Sequence, residues 1–115
     1  MNKLIESITF CKRIGALTLG FDPVRESMEQ GNAKLVLLAS DLSPKTRKEV
    51  AYLCGRYAVK SLPTPFTLDE FWYLVGKRAG IIAVTQEAFA EKIRTVIEDE
   101  TDRSERLKED AEYGD

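Results

Sequence analysis

The stretch from Gly15 to Pro44, GALTLGFDPVRESMEQGNAKLVLLASDLSP, most constrains what this chain can become. Its apolar run Leu35 to Ala39 follows a lysine and is bounded by polar turns, which predicts a strand buried on both faces. Ahead of it, Ala16 to Leu19 reads as a short edge strand, and Gly20-Phe21 as a turn. Asp22 then Pro23 predicts a helix start, with a carboxylate N-cap and proline at the first helical position. Gly31 stops that helix after about Gln30, and Val24 and Met28 supply its inward face. A turn leading from a strand into a helix points backbone N–H groups outward at a positive dipole end, so it is a candidate anion site.

The same alternation continues on either side. Residues 2–14 carry Leu4, Ile8 and Cys11 on one face and predict a helix closed by Gly15. Ser43-Pro44 repeats the cap-then-proline start, and Val50, Leu53, Cys54 and Tyr57 form the stripe of the next helix. Lys45, Arg47, Lys48 and Arg56 read as its solvated face. Ala58 to Leu62 predicts a strand, and Thr67 to Glu70 has capping-box spacing. Leu68, Phe71, Trp72 and Val75 make a further stripe, which places Trp72 in the core. After the basic loop Lys77 to Ala79, Gly80 to Thr85 is the last strand, and Phe89, Ile93, Val96 and Ile97 mark a final helix. This order predicts an α/β fold, a three-layer α/β/α sandwich with helices on both faces of the sheet.

The length of 115 residues supports one domain. Residues 1–97 form that domain, with 14 basic and 10 acidic side chains, a net of +4. Residues 98–115 hold nine acids against three bases, a net of −6, and read as an acidic helical or disordered tail. A basic body attracts a polyanion, and such a tail either competes for the same surface or serves as a solubilising terminal extension. The absence of histidine removes the usual general base and zinc ligand, and no catalytic constellation is present, so the expectation is a protein without enzymatic activity, metal or small-molecule cofactor. Cys11 and Cys54 read as buried reduced thiols. No apolar run approaches a membrane span and no signal peptide is evident, which makes the cytoplasm the expected location.

The region from CKRIGALTLGFDP through GNAKLVLLASDLSP to IIAVTQEAFAEKI resembles the ribosomal L-seven-Ae / L-thirty-e superfamily, and within it the small bacterial branch of ribosome-associated RNA-binding proteins. The resemblance covers residues 3–97. It implies a four-stranded mixed sheet and binding to structured RNA, ribosomal or other non-coding, often at kink-turns and within ribonucleoproteins that include ribosomal proteins. The kink-turn signature Gly-x-Asn-Glu-x-x-Lys falls on Gly20 to Glu26. The glycine is kept, but Asp22, Pro23 and Glu26 stand at the Asn, Glu and Lys positions, and Ala16 replaces a preceding basic residue. An ionised Asp only accepts hydrogen bonds, Pro23 has no donor, and Glu26 reverses a charge. The expected interface is the turn at Gly20, Phe21, Asp22 and Arg25, the loop Lys77 to Gly80 with Arg78, and a basic rim of Lys12 and Arg13, with RNA recognition altered from the kink-turn specialists. The alternative is a protein-interaction or ribosome-assembly accessory that has lost kink-turn recognition.

Overall fold

A computed structural model of the protein describes residues 2–99. Helix α1 (Lys3–Arg13) is capped by Asn2, whose Oδ1 accepts from the N–H of Leu4 at 2.8 Å. Then follow β1 (Leu17–Leu19), α2 (Phe21–Glu29), β2 (Leu35–Leu38), α3 (Pro44–Tyr57), β3 (Lys60–Pro63), α4 (Leu68–Val75) and β4 (Ile81–Val84). A fifth helix, α5, occupies residues 87–99. Two predicted starts are present as read: Ser43 caps α3 with Pro44 behind it, and Thr67 and Glu70 form a reciprocal capping box on α4.

The sheet order is β1-β4-β2-β3. Strands β2 and β3 are parallel, while β4 runs antiparallel to both β1 and β2, so the sheet is mixed. Period-two alternation splits the central strands between two cores. Leu35, Leu37, Ile82 and Val84 face α1, α4 and α5, where Leu4, Ile8, Phe71 and Ile93 are fully buried. Val36, Ile81 and Ala83 face α2 and α3, meeting Val24, Met28, Val50 and Cys54. Both thiols are free and buried, and burial pushes each above the ordinary thiol range, partly opposed at Cys11 by the charge of Lys92. No helix among the described residues is long and apolar enough to cross a membrane.

Two local expectations change. Strand β3 begins at Lys60 instead of Ala58, because Ala58 closes α3 in the left-handed conformation at φ 56°. Trp72 is not core: it is 54% exposed, and Tyr73 beside it is 92% exposed. At 100° per residue, the buried face of α4 centres on Phe71 and Val75, with Leu68 and Leu74 at its edges. Leu74 therefore completes the stripe, and Trp72 falls off it. The acidic segment predicted from residue 98 lies outside the described residues from 100 onward. Its first residue, Glu98, is fixed: it accepts from Lys60 Nζ at 2.8 Å and from Arg94 at 2.7 Å.

Candidate nucleic-acid interface

Mixed strand directions bring four connections to one end of the sheet. Strands β1, β2 and β3 end there and β4 begins there. Gly20 follows β1 directly, and its N–H donates to the carbonyl of Ile81 at 2.9 Å. Its backbone, φ 98° and ψ 160°, lies in a region that is essentially restricted to glycine. This residue, and not Asp22, is the N-cap of α2. Helix α2 starts at Phe21, so Asp22 and Pro23 are its second and third residues, and no side chain caps it. The predicted Asp22 cap fails because Gly20 turns the chain early: its carbonyl already accepts from the N–H of Val24 at 3.0 Å. The N–H groups of Phe21 and Asp22 thus remain at the open positive end of the helix.

The loop after α4 meets this turn. Gly76 ends α4 at φ 77°, and Lys77 then extends over Gly20, with its Nζ 4.0 Å from where a Cβ on Gly20 would lie. Gly80 is held by packing: a Cβ there would stand 2.5 Å from Leu42 Cδ2 and 2.8 Å from Leu68 Cδ2. Its carbonyl accepts from the N–H of Ala39 at 2.9 Å, which ties the loop to the exit of β2. Asp41, in that exit loop, accepts from the N–H of Leu68 at 2.9 Å and so secures the first turn of α4.

The cations here differ in how they are engaged. Arg25 lies 3.4 Å from Asp22 and 3.9 Å from Glu29, with its guanidinium 5.9 Å over the half-buried Phe21 ring. Arg78 lies 3.7 Å from Asp69. Lys77 has no acidic partner within 4 Å among the described residues. Arg47, read from sequence as part of a solvated face, reaches back to donate to the carbonyl of Ser40 at 2.6 Å and joins the same end of the sheet. A signal for it exists in the sequence. Lys45, Arg47 and Lys48 sit in the first turns of α3, which has no acid in its first turn, and cations there oppose the helix dipole.

Gly20, Phe21, Asp22, Arg25, Lys77 and Arg78 are thus brought together. Lys12 and Arg13 are not. They close α1 before Gly15, where the carbonyl of Ala16 accepts from Thr85 past the far end of β4. Four residues of extended chain, about 13 Å, separate that end from Gly20.

Residues 2–69 match the ribosomal protein L7Ae/L30e/S12e/Gadd45 family. The chain belongs to this family. It is 32% identical over 84 residues to the Bacillus subtilis RNA-binding protein YlxQ, covering 69% of this chain and 79% of that protein. It is 27% identical over 96 residues to the YlxQ of Enterococcus faecium, covering 84% and 92% respectively. Among solved structures, a Bacillus halodurans protein of unknown function superposes with a TM-score of 0.80 at 23% identity, covering 85% of this chain and 99% of that one. The Giardia lamblia 15.5kD RNA binding protein gives a TM-score of 0.68 at 13% identity, covering 84% and 82%. These two likenesses establish a shared fold, which in this chain is an α/β sandwich with a four-stranded mixed sheet.

Proposed function

We propose that this protein binds structured RNA, ribosomal or other non-coding, through the end of the sheet where the Gly20 turn meets the Lys77 to Gly80 loop. The observation that carries the reading is the ammonium of Lys77 beside Gly20, above uncapped N–H groups of α2. Phosphate fits that combination of a mobile cation and fixed donors. Membership of the family and the RNA-binding names of the two YlxQ relatives support it. Binding of this kind needs no cofactor and no chemistry, and a cytoplasmic place near the ribosome suits it. Asp22 and Glu26 stand in place of the amide donor and the cation of the kink-turn signature, so recognition here depends on the loop side of the site more than on the side chains of α2.

Anisotropy titration of the full chain against kink-turn, bulged and ribosomal RNA at low salt tests this. The expected result is salt-sensitive binding that Lys77→Glu weakens by about tenfold or more without lowering the melting temperature. Absence of binding to all three RNAs at low salt would overturn it. The second reading, a protein-binding accessory of ribosome assembly, draws on α2, where Asp22, Glu26 and Glu29 outnumber a paired Arg25. Ribosomal proteins retained on the purified chain after nuclease treatment, with no RNA affinity, would favour it.

A further inference from the structure

Beside the Gly20 turn, α2 and α3 flank a shallow, open groove of about 400 Å³ lined by Phe21, Arg25, Lys48, Glu49, Tyr52 and Leu53. Two of these residues, Phe21 and Arg25, also belong to the turn, so the groove continues the proposed interface. Tyr52 stands 66% exposed, although Val50 and Cys54 on the same helix are buried. Its ring adds little to the core and is presented to whatever enters the groove. The volume is at the small end of ligand-sized sites and suits a planar ring system better than a helix.

Charge identifies the occupant. Helix α3 carries Lys45, Arg47, Lys48 and Arg56 against Glu49 alone. None of these four cations lies within 4 Å of an acid among the described residues, whereas Arg25, Lys60, Arg78 and Arg94 all do. Helix α2 is the reverse, with Asp22, Glu26 and Glu29 against one cation that two of them engage. At the groove itself α2 contributes Phe21 and Arg25, and its acids do not line it, whereas α3 contributes Lys48, Glu49 and Leu53 with the exposed Tyr52 ring, so the basic wall lies on α3. A polyanion with flat bases is complementary to the basic wall.

We propose that the α2–α3 groove docks an unpaired base of the RNA held at the Gly20 turn, stacked on Tyr52, with the flanking phosphates on Lys45 and Lys48. This rests on the RNA-binding reading above and adds a second contact that lies on α3. Stacking is sequence-tolerant because every base has a π-face. Glu49 only accepts hydrogen bonds, so it faces the N–H edge of the base while the lysines take the backbone.

The test uses the full chain and two labelled RNAs, a hairpin with an unpaired bulge containing 2-aminopurine and the same hairpin fully paired. Tyr52→Ala is expected to weaken the bulged hairpin by about tenfold and leave the paired one unchanged. Tyr52→Phe retains the affinity, since the ring and not the hydroxyl carries the contact. Bulge 2-aminopurine is quenched by the unmodified protein and by Tyr52→Phe, and not by Tyr52→Ala. Lys48→Ala weakens both RNAs and lowers the salt slope by about one ion. Unchanged binding of the bulged hairpin by Tyr52→Ala, with Lys77→Glu still impaired, would overturn the groove and leave the Gly20 interface standing. Binding of neither hairpin by the unmodified chain removes both.

Discussion

Two groups of cations at opposite ends of the sheet are engaged differently, Lys60 with Arg94 and Lys77 with Arg47 and Arg78, while Lys12, Arg13 and Lys34 at the far end also lack an acid within 4 Å among the described residues. At the far end, where β2 and β3 begin, Lys60 meets Glu98 at 2.8 Å and Arg94 meets Glu98 at 2.7 Å, and Arg94 also pairs closely with Glu91. These are contacts at hydrogen-bond distance, and Lys60 joins the edge strand to α5 through them. At the Gly20 end Lys77 has no acidic partner among the described residues, Arg47 holds a neutral carbonyl, and Arg78 stands 3.7 Å from Asp69. Cations held by carboxylates fasten elements, whereas cations without them leave a positive field directed at solvent. The total charge of the chain does not distinguish these uses; the distances do.

The sharpest break between the ends comes from one substitution made in two places. Gly20 adopts φ 98° with ψ 160°, while Gly31, beyond α2 and close to the start of β2, adopts φ 76°. Asparagine is tolerated at a helix C′ position such as that of Gly31 and not in the region Gly20 uses. Gly20→Asn is expected to lower stability by about 1–3 kcal/mol. For a domain of this size that is a fall in melting temperature of about 5–15 °C. Gly31→Asn should stay within about 0.5 kcal/mol. Thermal melts of the two variants decide it, and equal losses would mean that the Gly20 turn is not the strained element.

Much of the architecture is legible in the residues, because it is written in local patterns. Leu35 to Leu38 is the buried strand that its unbroken apolar run predicts, and the caps at Ser43 and Thr67 stand where the spacing places them. The misses are contacts between distant segments. Asp41 and Leu68 are 27 residues apart, so nothing local connects that carboxylate to the start of α4. Lys12 and Arg13 precede β1 and Gly20 follows it, so the length of that strand holds them at opposite ends of the sheet, which no count of basic residues conveys. Trp72 misleads because a stripe of four apolar residues fits two adjacent helix faces, and only the packing of Leu74 chooses between them. The Asp22-Pro23 pair misleads for a different reason: the strong cap signal loses to a glycine conformation two residues earlier.

Arg47 offers a smaller and more selective probe. Its guanidinium donates to the Ser40 carbonyl on an exposed loop, so Arg47→Ala should lower stability by only about 0.5–1 kcal/mol. On the RNA side the same change removes one unneutralised cation, which should reduce the salt slope of binding by about one. Lys60→Ala, made at the far end, should leave that slope unchanged. A slope lowered equally by both variants would remove the distinction between fastening and available charge.

The smallest effect is in acid, and it belongs to the far end alone. The hydrogen bond from Arg94 holds the Glu91 carboxyl below its ordinary range, and that from Lys60 does the same for Glu98. A carboxyl with a depressed folded pKa contributes stability above its unfolded value, about 4.3 for Glu, and loses it as pH falls through the folded one. The melting temperature should therefore decline below about pH 4.3, by a small amount because the pairs are exposed to solvent. The double variant Lys60→Met, Arg94→Leu should melt slightly lower at neutral pH and decline less steeply in acid. Its affinity for bulged RNA at neutral pH should match the unmodified chain, since neither cation belongs to the Gly20 end. If that affinity fell while the acid decline stayed the same, the far-end cations would be the available ones, and the assignment of the two ends would have to be reversed.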